Sequence, residues 1–317
     1  MKTLHVVNRL YPEFNGGNEI HIFELCHELA KAGERTVILT QVTDPKTEMI
    51  ATETKHDGKV KINSLRLPPL TTKIRLLRSL ITKEYRLVKF FLEILVKEKP
   101  DLVHFHHLID LSPWLLLICR LKKIPHLLDL NDYWFICPGT YLLCRDNIKK
   151  CATGCVWEHP KSIKQVLLAK TKQKRLRLLY GYLKAIFHRI SWNLLLNHTD
   201  TTLIAVSGRV KEIHEQHHLH GNEIVVKHSG IKVAIPKKRK VDQKHFRVGY
   251  LGALIEAKGV RVLIAAFRKL KQKNISMVLY GQDGFGGSKL SKMIGADPRI
   301  KLASPFDHQD LAKVLAG

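Results

Sequence analysis

Short apolar runs alternate along this chain with longer stretches whose apolar residues recur every three or four positions, and that alternation restricts the fold more than any other feature. LHVVNRL (Leu4–Leu10), TVILT (Thr36–Thr40), a run over Val60–Leu65, DLVHFHH (Asp101–His107), IPHLLDLND (Ile124–Asp132), TLIAVS (Thr202–Ser207) and EIVVKHSGI (Glu223–Ile231) each read as a strand. Continuous apolar runs of this length suit strands buried on both faces, as in a parallel sheet. Between them, Ile22, Leu25, Cys26 and Leu29 fall at helical spacing ahead of Gly33, a natural C-cap. A long basic helix is expected over roughly Ile74–Glu98, another over Leu108–Leu121 and a third from Gly208 to about His218. Strand and helix in such succession give a parallel sheet with helices on both faces, and ligands gather outside the carboxyl ends of its strands. Gly16, Gly17, His106, His107, Asn131 and Asp132 all fall at those ends.

The polar stretch IPKKRKVDQKH (Ile235–His245) interrupts the pattern and reads as a linker. The expected organisation is therefore an N-terminal domain over 1–234, a linker over 235–245 and a second domain over 246–317. The second opens with a strand (Phe246–Leu251), a turn at Gly252, and a helix whose first turn carries Lys258 and Gly259 ahead of Val262, Leu263, Ala266, Phe267 and Leu270. Unpaired N–H groups at a helix start, the positive dipole end and a lysine together favour an anion, so a phosphate-bearing ligand fits here. Most stretches of this kind are only a turn and a solvated charge, so the feature needs support from elsewhere. SMVLYGQDG (Ser276–Gly284), a short helix, the strand RIKLAS (Arg299–Ser304) and a last helix from Asp307 follow, which makes the second domain about half built.

Fifty-three Lys and Arg against 28 Asp and Glu give a formal charge of +25. Such an excess draws a protein toward nucleic acid, anionic lipid headgroups or phosphorylated small molecules. Charge is the sole argument for nucleic acid, since neither a recognition helix nor an aromatic RNA platform is recognisable. Around Thr72–Arg86 and Lys161–Arg189 the cations interleave with Leu, Ile, Tyr and Phe, the pattern of a surface helix resting on anionic lipid as well as of a solvated face. The longest apolar run, Trp114–Cys119, is far short of a membrane span, and the first residues lack the apolar core of an export signal. A cytoplasmic protein with reduced cysteines is the expectation. Cys137, Cys144, Cys151 and Cys155 form a C-x6-C-x6-C-x3-C series that a structural zinc ion could order; without a C-x2-C pair, unligated thiols are favoured over zinc.

Seven segments, taken in chain order, resemble a known family. They are YPEFNGGNEIH (Tyr11–His21), DLVHFHH, LLDLNDYWFICP (Leu128–Pro138), LIAVSGRVKE (Leu203–Glu212), VVKHSGI (Val225–Ile231), GYLGALIEAKG (Gly249–Gly259) and VLYGQDG (Val278–Gly284). Together they resemble the GT-B glycosyltransferases of the family-four type, retaining enzymes that move a sugar from a nucleotide-diphosphate donor. The resemblance implies an α/β fold of two Rossmann-like doubly wound domains, the second incomplete here. It implies a hexosyltransferase acting on a polysaccharide, lipopolysaccharide or lipid-linked acceptor, in the cytoplasm or peripherally at the inner face of the cell membrane. Gly16 and Gly17 would let the backbone approach the donor phosphates or sugar, and His106 would face the transferred sugar. Gly252, Lys258 and Gly259 would hold the diphosphate, whose growing negative charge the lysine offsets. Asn131 and Asp132 would lie on the substrate side, and no metal is implied.

Three departures from the family pattern stand out. Ala253 occupies the place of an arginine, a lost charge-assisted hydrogen bond of about 1.5–3 kcal/mol. Asn131 stands for a histidine, and Ser229 for an asparagine. The family's acidic motif, whose second glutamate holds the donor ribose, would lie beyond Gly317. The expectations are therefore a transferase active as it stands or, as the alternative, a truncated or split chain that a second polypeptide completes.

Overall fold

The computed structural model describes residues 1–43, 51–67, 73–137, 171, 179, 187–188, 190–230, 244–306 and 310–316, with the backbone alone over 73–83. The chain divides into two compact units, Met1–Ile231 and Lys232–Gly317.

The first unit is built on an eight-stranded sheet. Its strands are β1 (Lys2–Val6), β2 (Arg35–Thr43), β3 (Ala51–Asp57), β4 (Val60–Leu67), β5 (Leu102–Phe105), β6 (His126–Leu130), β7 (Thr202–Ala205) and β8 (Glu223–Val226), in the order β3-β4-β2-β1-β5-β6-β7-β8. Every pairing is parallel except the β3–β4 hairpin. Alternate residues face opposite sides of the sheet. On one side Leu4, Val6 and Phe105 join a large core with α2 (Lys73–Glu98) and α3 (Trp114–Leu121); on the other, Val7 and Ile38 meet α1 (Gly17–Lys31). Helix α1 buries Ile22, Cys26 and Ala30, one residue per turn, and ends where Gly33 takes the left-handed conformation (φ 93°). The Gly33 and Glu34 N–H groups then reach back to the carbonyls of Ala30 and Leu29, satisfying the last turn. Helix α4 (Gly208–Gln216) starts at Ser207, whose side chain accepts from the Val210 N–H.

Two elements differ from the sequence expectation. Strand β3 was not anticipated, because ATETKHD has no apolar alternation; it is an exposed edge strand turned by Gly58 (φ 57°) and held by backbone pairing to β4. Helix α3 begins at Trp114 rather than Leu108: Asp110 is left-handed (φ 60°), and the Ser112 hydroxyl accepts the Trp114 N–H instead. Cys144, Cys151, Cys155, most of Lys161–Arg189 and residues 235–243 of the linker lie outside the described residues, while Cys137 is buried. No described helix is long and apolar enough to cross a membrane.

The second unit has three parallel strands in the order β11-β10-β9, namely β9 (Phe246–Leu251), β10 (Ile275–Tyr280) and β11 (Ile300–Ala303). Helices α5 (Val260–Arg268) and α6 (Gly287–Ile294) share a core with them that includes Val260, Ile264, Phe267, Met277, Leu279 and Leu290, and a short α7 (Leu311–Ala316) follows. Lys258 does not lie in the first turn of α5, as its sequence position implied. It closes a 3-10 turn, Glu256–Lys258, and left-handed Gly259 (φ 74°) separates that turn from the helix.

The loops leaving β9 and β10 continue the ladder past the strands. Gly252 donates to the Tyr280 carbonyl, Leu254 to that of Gln282 and Gly284 to that of Leu254, each at 3.0 Å. This needs two glycines back to back: a β-carbon at position 281 would stand 1.8 Å from the Gly252 carbonyl oxygen. Gly281→Ala should therefore destabilise the second unit by about 2–4 kcal/mol, read as a lowered urea midpoint, through a backbone clash with no flexible side chain to yield.

Candidate functional site

Strand order in the first unit reverses at β1, with β2 on one side and β5 on the other, and such a reversal is where open α/β sheets place their ligands. Four polar side chains from adjacent strands meet there on one face of the sheet. His5 of β1 is in register with His104 of β5; His106 follows two residues on, and Asp129 lies in β6. His5 and His106 are buried, as is Asp129. His104 Nε2 lies 2.7 Å from Asp129 Oδ1, His106 Nδ1 2.6 Å from Oδ2, and His106 Nε2 2.9 Å from His5 Nδ1.

These partners fix the protons. A carboxylate only accepts, so His104 and His106 donate to it. A neutral His106 protonated at Nδ1 must accept at Nε2, so His5 donates through Nδ1. That leaves His5 Nε2 as a bare acceptor, buried and without a hydrogen-bond partner among the described residues. Burial, reinforced by His104, pushes the His106 pKa down to about 4, and burial with the neighbouring His106 and His104 holds His5 well below the ordinary histidine value. For Asp129 burial acts in the opposite sense, yet His106 and His104 hold it well below the usual carboxylate range. Ligand atoms of the three histidines lie within 4.8 Å of one another, as in a metal site. However, His106 uses its two nitrogens toward opposite neighbours, and its ring lies over that of His104 with centroids 4.0 Å apart. Imidazoles bind metal through in-plane lone pairs, so this arrangement is a hydrogen-bonded chain rather than a convergent ligand set.

The resemblance implies that His106 faces a sugar; in the structure its imidazole turns inward, toward Asp129 and His5. The ring is fully enclosed with both nitrogens engaged within the protein. What His106 offers its surroundings is its backbone carbonyl, which accepts from Asn131 Nδ2 at 2.9 Å. The same amide donates to Asn18 Oδ1 at 2.8 Å, tying the β6 loop to the first turn of α1. That turn begins at Gly16, which has no capping side-chain hydrogen bond. Space beyond Gly17 is open, whereas a β-carbon at Gly16 would stand 2.2 Å from the Glu19 carboxylate. One turn along α1, His21 donates from Nδ1 to the Gly230 carbonyl at 2.9 Å. Sequence reasoning passed over His21, although its i+4 relation to Gly17 was a readable signal.

Asp132 takes a supporting position. Its Oδ1 accepts the Trp134 N–H at 2.8 Å, capping the following turn, and its carboxylate receives His107 Nε2 at 3.3 Å. Gly16, Gly17, His106, Asn131 and Asp132 are thus brought to one end of one sheet. Gly252, Lys258 and Gly259 cluster separately in the second unit. There Lys258 is exposed and Arg261 lies 2.6 Å from Glu256 Oε1, so the mouth of α5 carries two cations and one acid.

Residues 15–234 match the profile of Glycosyltransferase Family 4. No curated protein matches the chain by sequence. Solved structures with a similar fold include a trehalose-6-phosphate synthase, OtsA, at 10% identity and a TM-score of 0.58, covering 99% of this chain and 76% of that one. A second is an α,α-trehalose-phosphate synthase (UDP-forming) from Burkholderia xenovorans in complex with glucose-6-phosphate, at 10% identity and a TM-score of 0.55, covering 99% and 77%. A third is the lipopolysaccharide outer core galactosyltransferase WaaB in apo form, at 12% identity and a TM-score of 0.50, covering 100% and 72%. At these identities the likeness is one of fold.

The buried histidines give the chain a defined response to acid. His5 and His106 bind protons less readily folded than unfolded, so their contribution to stability is complete above about pH 6.5 and is lost as pH falls toward 4. The urea midpoint should fall across that window. His5→Asn, whose amide still donates to His106 but does not titrate, should flatten the slope by up to about one proton.

Proposed function

The chain belongs to Glycosyltransferase Family 4, and from that premise we propose that it transfers a sugar, with retention, from a nucleotide-diphosphate-sugar to a polysaccharide, lipopolysaccharide or lipid-linked acceptor. We place the work in the cytoplasm, either free or peripherally at the inner face of the cell membrane. The observation that carries this reading is the convergence of the α1 first turn, Asn18, His21, Asn131, the His106 carbonyl and Gly230 at the carboxyl end of one sheet. These groups come from four segments far apart in sequence, and they meet at the strand-order reversal where ligands of such sheets bind. A UDP-forming synthase among the similar folds supports a nucleoside diphosphate as the leaving group.

The reaction is a front-face displacement. The bond between the anomeric carbon and the diphosphate oxygen breaks, a bond from the acceptor oxygen forms on the same face, and the acceptor proton passes to the departing diphosphate. Charge therefore grows on the diphosphate as the transition state is reached, and groups aimed at it lower the barrier. In the second unit Lys258, exposed on a turn fixed by Gly259, is the cation assigned to that task. In the first unit the start of α1 at Gly17, beside which the space is open, suits a sugar hydroxyl or an anion. His106 is a positioning residue: its enclosed ring holds its carbonyl where Asn131 and, through it, Asn18 are set.

Incubating the purified chain with a panel of nucleotide sugars and extracted lipid acceptors, and measuring nucleoside diphosphate release, tests the reading. Lys258→Ala should lower kcat by about a hundredfold or more, as loss of one preorganised stabiliser of developing charge does. Undiminished release would remove Lys258 from the mechanism, and a product of inverted anomeric configuration would remove retention. Gly17→Ala should leave the fold intact, even stabilising it by about 0.5–1 kcal/mol, because its β-carbon meets nothing within 4 Å. It should nevertheless slow transfer by filling the space beside the helix start.

A further inference from the structure

The rim where α1 meets the β6 loop shows a ligand mostly lone pairs. Asn18 and His21 stand one turn apart on the same face of α1, Asn18 tied to Asn131 and His21 to Gly230. Because the Gly230 carbonyl only accepts, His21 holds its hydrogen at Nδ1. In the neutral ring Nε2 is then an acceptor, and it makes no hydrogen bond among the described residues. Asn131 spends its Nδ2 hydrogens on Asn18 Oδ1 and the His106 carbonyl, so its own oxygen is left over. Glu19 folds back until its carboxylate fills the place a β-carbon on Gly16 would take. That carboxylate has neither ion pair nor hydrogen bond among the described residues, in a chain with 53 Lys and Arg for 28 Asp and Glu. Cations are plentiful, so an acid left unpaired beside the site is informative. Against these acceptors the rim sets one donor side chain, the Asn18 amide.

Glu19 lies in the first turn of α1 and already offsets the positive end of that helix. A phosphate brought to the same place would meet a carboxylate, and like charges set side by side reject a ligand strongly. Arg9, a cation of the loop after β1, lies with its guanidinium over the Phe14 ring at 5.0 Å. Lone pairs on Glu19, His21 and Asn131 call instead for hydroxyl hydrogens, with the Asn18 amide to donate in return. All four side chains are partly exposed, so a ligand can reach them while the protein holds them. We propose that this rim binds the acceptor through hydroxyls of an uncharged sugar, His21 Nε2 and Asn131 Oδ1 accepting from them while Glu19 turns sugar phosphates away. The inference rests on the transferase reading, which assigns the diphosphate to Lys258 in the second unit and so leaves this rim to the acceptor. It narrows that acceptor: whatever carries it, the sugar ring that enters here bears no phosphate where it meets α1.

The test is nitrogen NMR of the histidine rings of the full chain. The chain is titrated with the octyl glycosides of glucose, galactose and mannose below their micelle-forming concentrations, and separately with glucose 6-phosphate and inorganic phosphate. His21→Phe identifies the His21 signal by its loss, which localises binding on a chain whose charge attracts phosphate in many places. A neutral glycoside should move the His21 Nε2 resonance, and neither phosphate should move it. Glycoside affinity should fall about three- to tenfold in His21→Phe, the worth of one hydrogen bond, with an unchanged circular dichroism spectrum. Glu19→Gln keeps the shape and removes the charge, and in that variant glucose 6-phosphate should move the His21 resonance. A His21 signal that no glycoside moves, or that either phosphate moves in the wild type, overturns the proposal. Undiminished glycoside binding by His21→Phe overturns the contact, and continued refusal of glucose 6-phosphate by Glu19→Gln overturns the role given to Glu19. Turnover separates this inference from the reading beneath it. Glycoside binding at His21 without sugar transfer from any donor sinks the transferase alone, whereas transfer with an acceptor KM that His21→Phe leaves unmoved sinks the contact alone.

Discussion

A charged carboxylate inside a parallel sheet is costly unless donors surround it, and the first unit is arranged around that requirement. Asp129 of β6 obtains two N–H donors, from His104 of β5 and from His106 just beyond it, in a place that the surrounding protein largely encloses. Once both donate, His106 has one lone pair left, and His5 of β1 supplies its hydrogen. Three strands are thereby pinned at the level where strand order reverses. The effect propagates outward through the backbone: His106 fixed in this way presents its carbonyl to Asn131, and Asn131 in turn holds Asn18 at the start of α1. Each hydrogen bond to the charged group is of the stronger kind, about 1.5–3 kcal/mol, so the order of the rim derives from the interior.

Much of the scaffold could be read from the residues because its causes are local. Continuous apolar runs gave the parallel strands, and Phe246–Leu251 matches β9 in full. Helix α1 announced its end through Gly33, whose missing side chain permits the conformation required there. Strand β3 could not be read, since an exposed edge strand owes its form to the neighbour that pairs with it and carries no burial pattern of its own. The early start expected for α3 failed for a related reason: Leu108 and Leu111 are buried like helix residues but sit in a turn.

The site was legible as a set of positions and not as a set of orientations. Topology alone carries Gly16, His106, Asn131 and Asp132 to the carboxyl ends of the strands. Whether a ring there turns outward or inward depends on a partner on another strand, and for His106 that partner is Asp129, which no local pattern singled out. Asp132 illustrates the same point, since a carboxylate two residues before an unpaired N–H is drawn to that N–H first. Lys258 shows how much one backbone angle decides: with Gly259 left-handed, the lysine rides on its own turn ahead of the helix rather than within it.

Charge is distributed so that chemistry and attraction are separate matters. The buried cluster sets one carboxylate beside His5 and His106, whose pKa values burial holds below the ordinary histidine value, while the chain as a whole carries +25. The excess must then reside outside the cluster, on exposed lysines and arginines whose fields reach about 8–10 Å through physiological salt. Such charges govern which surfaces the protein approaches and how it is turned when it arrives. The cluster, set inside the sheet and held by its own hydrogen bonds, keeps one proton arrangement at His5 and His106 as long as the pH stays above the range in which those two rings take up protons.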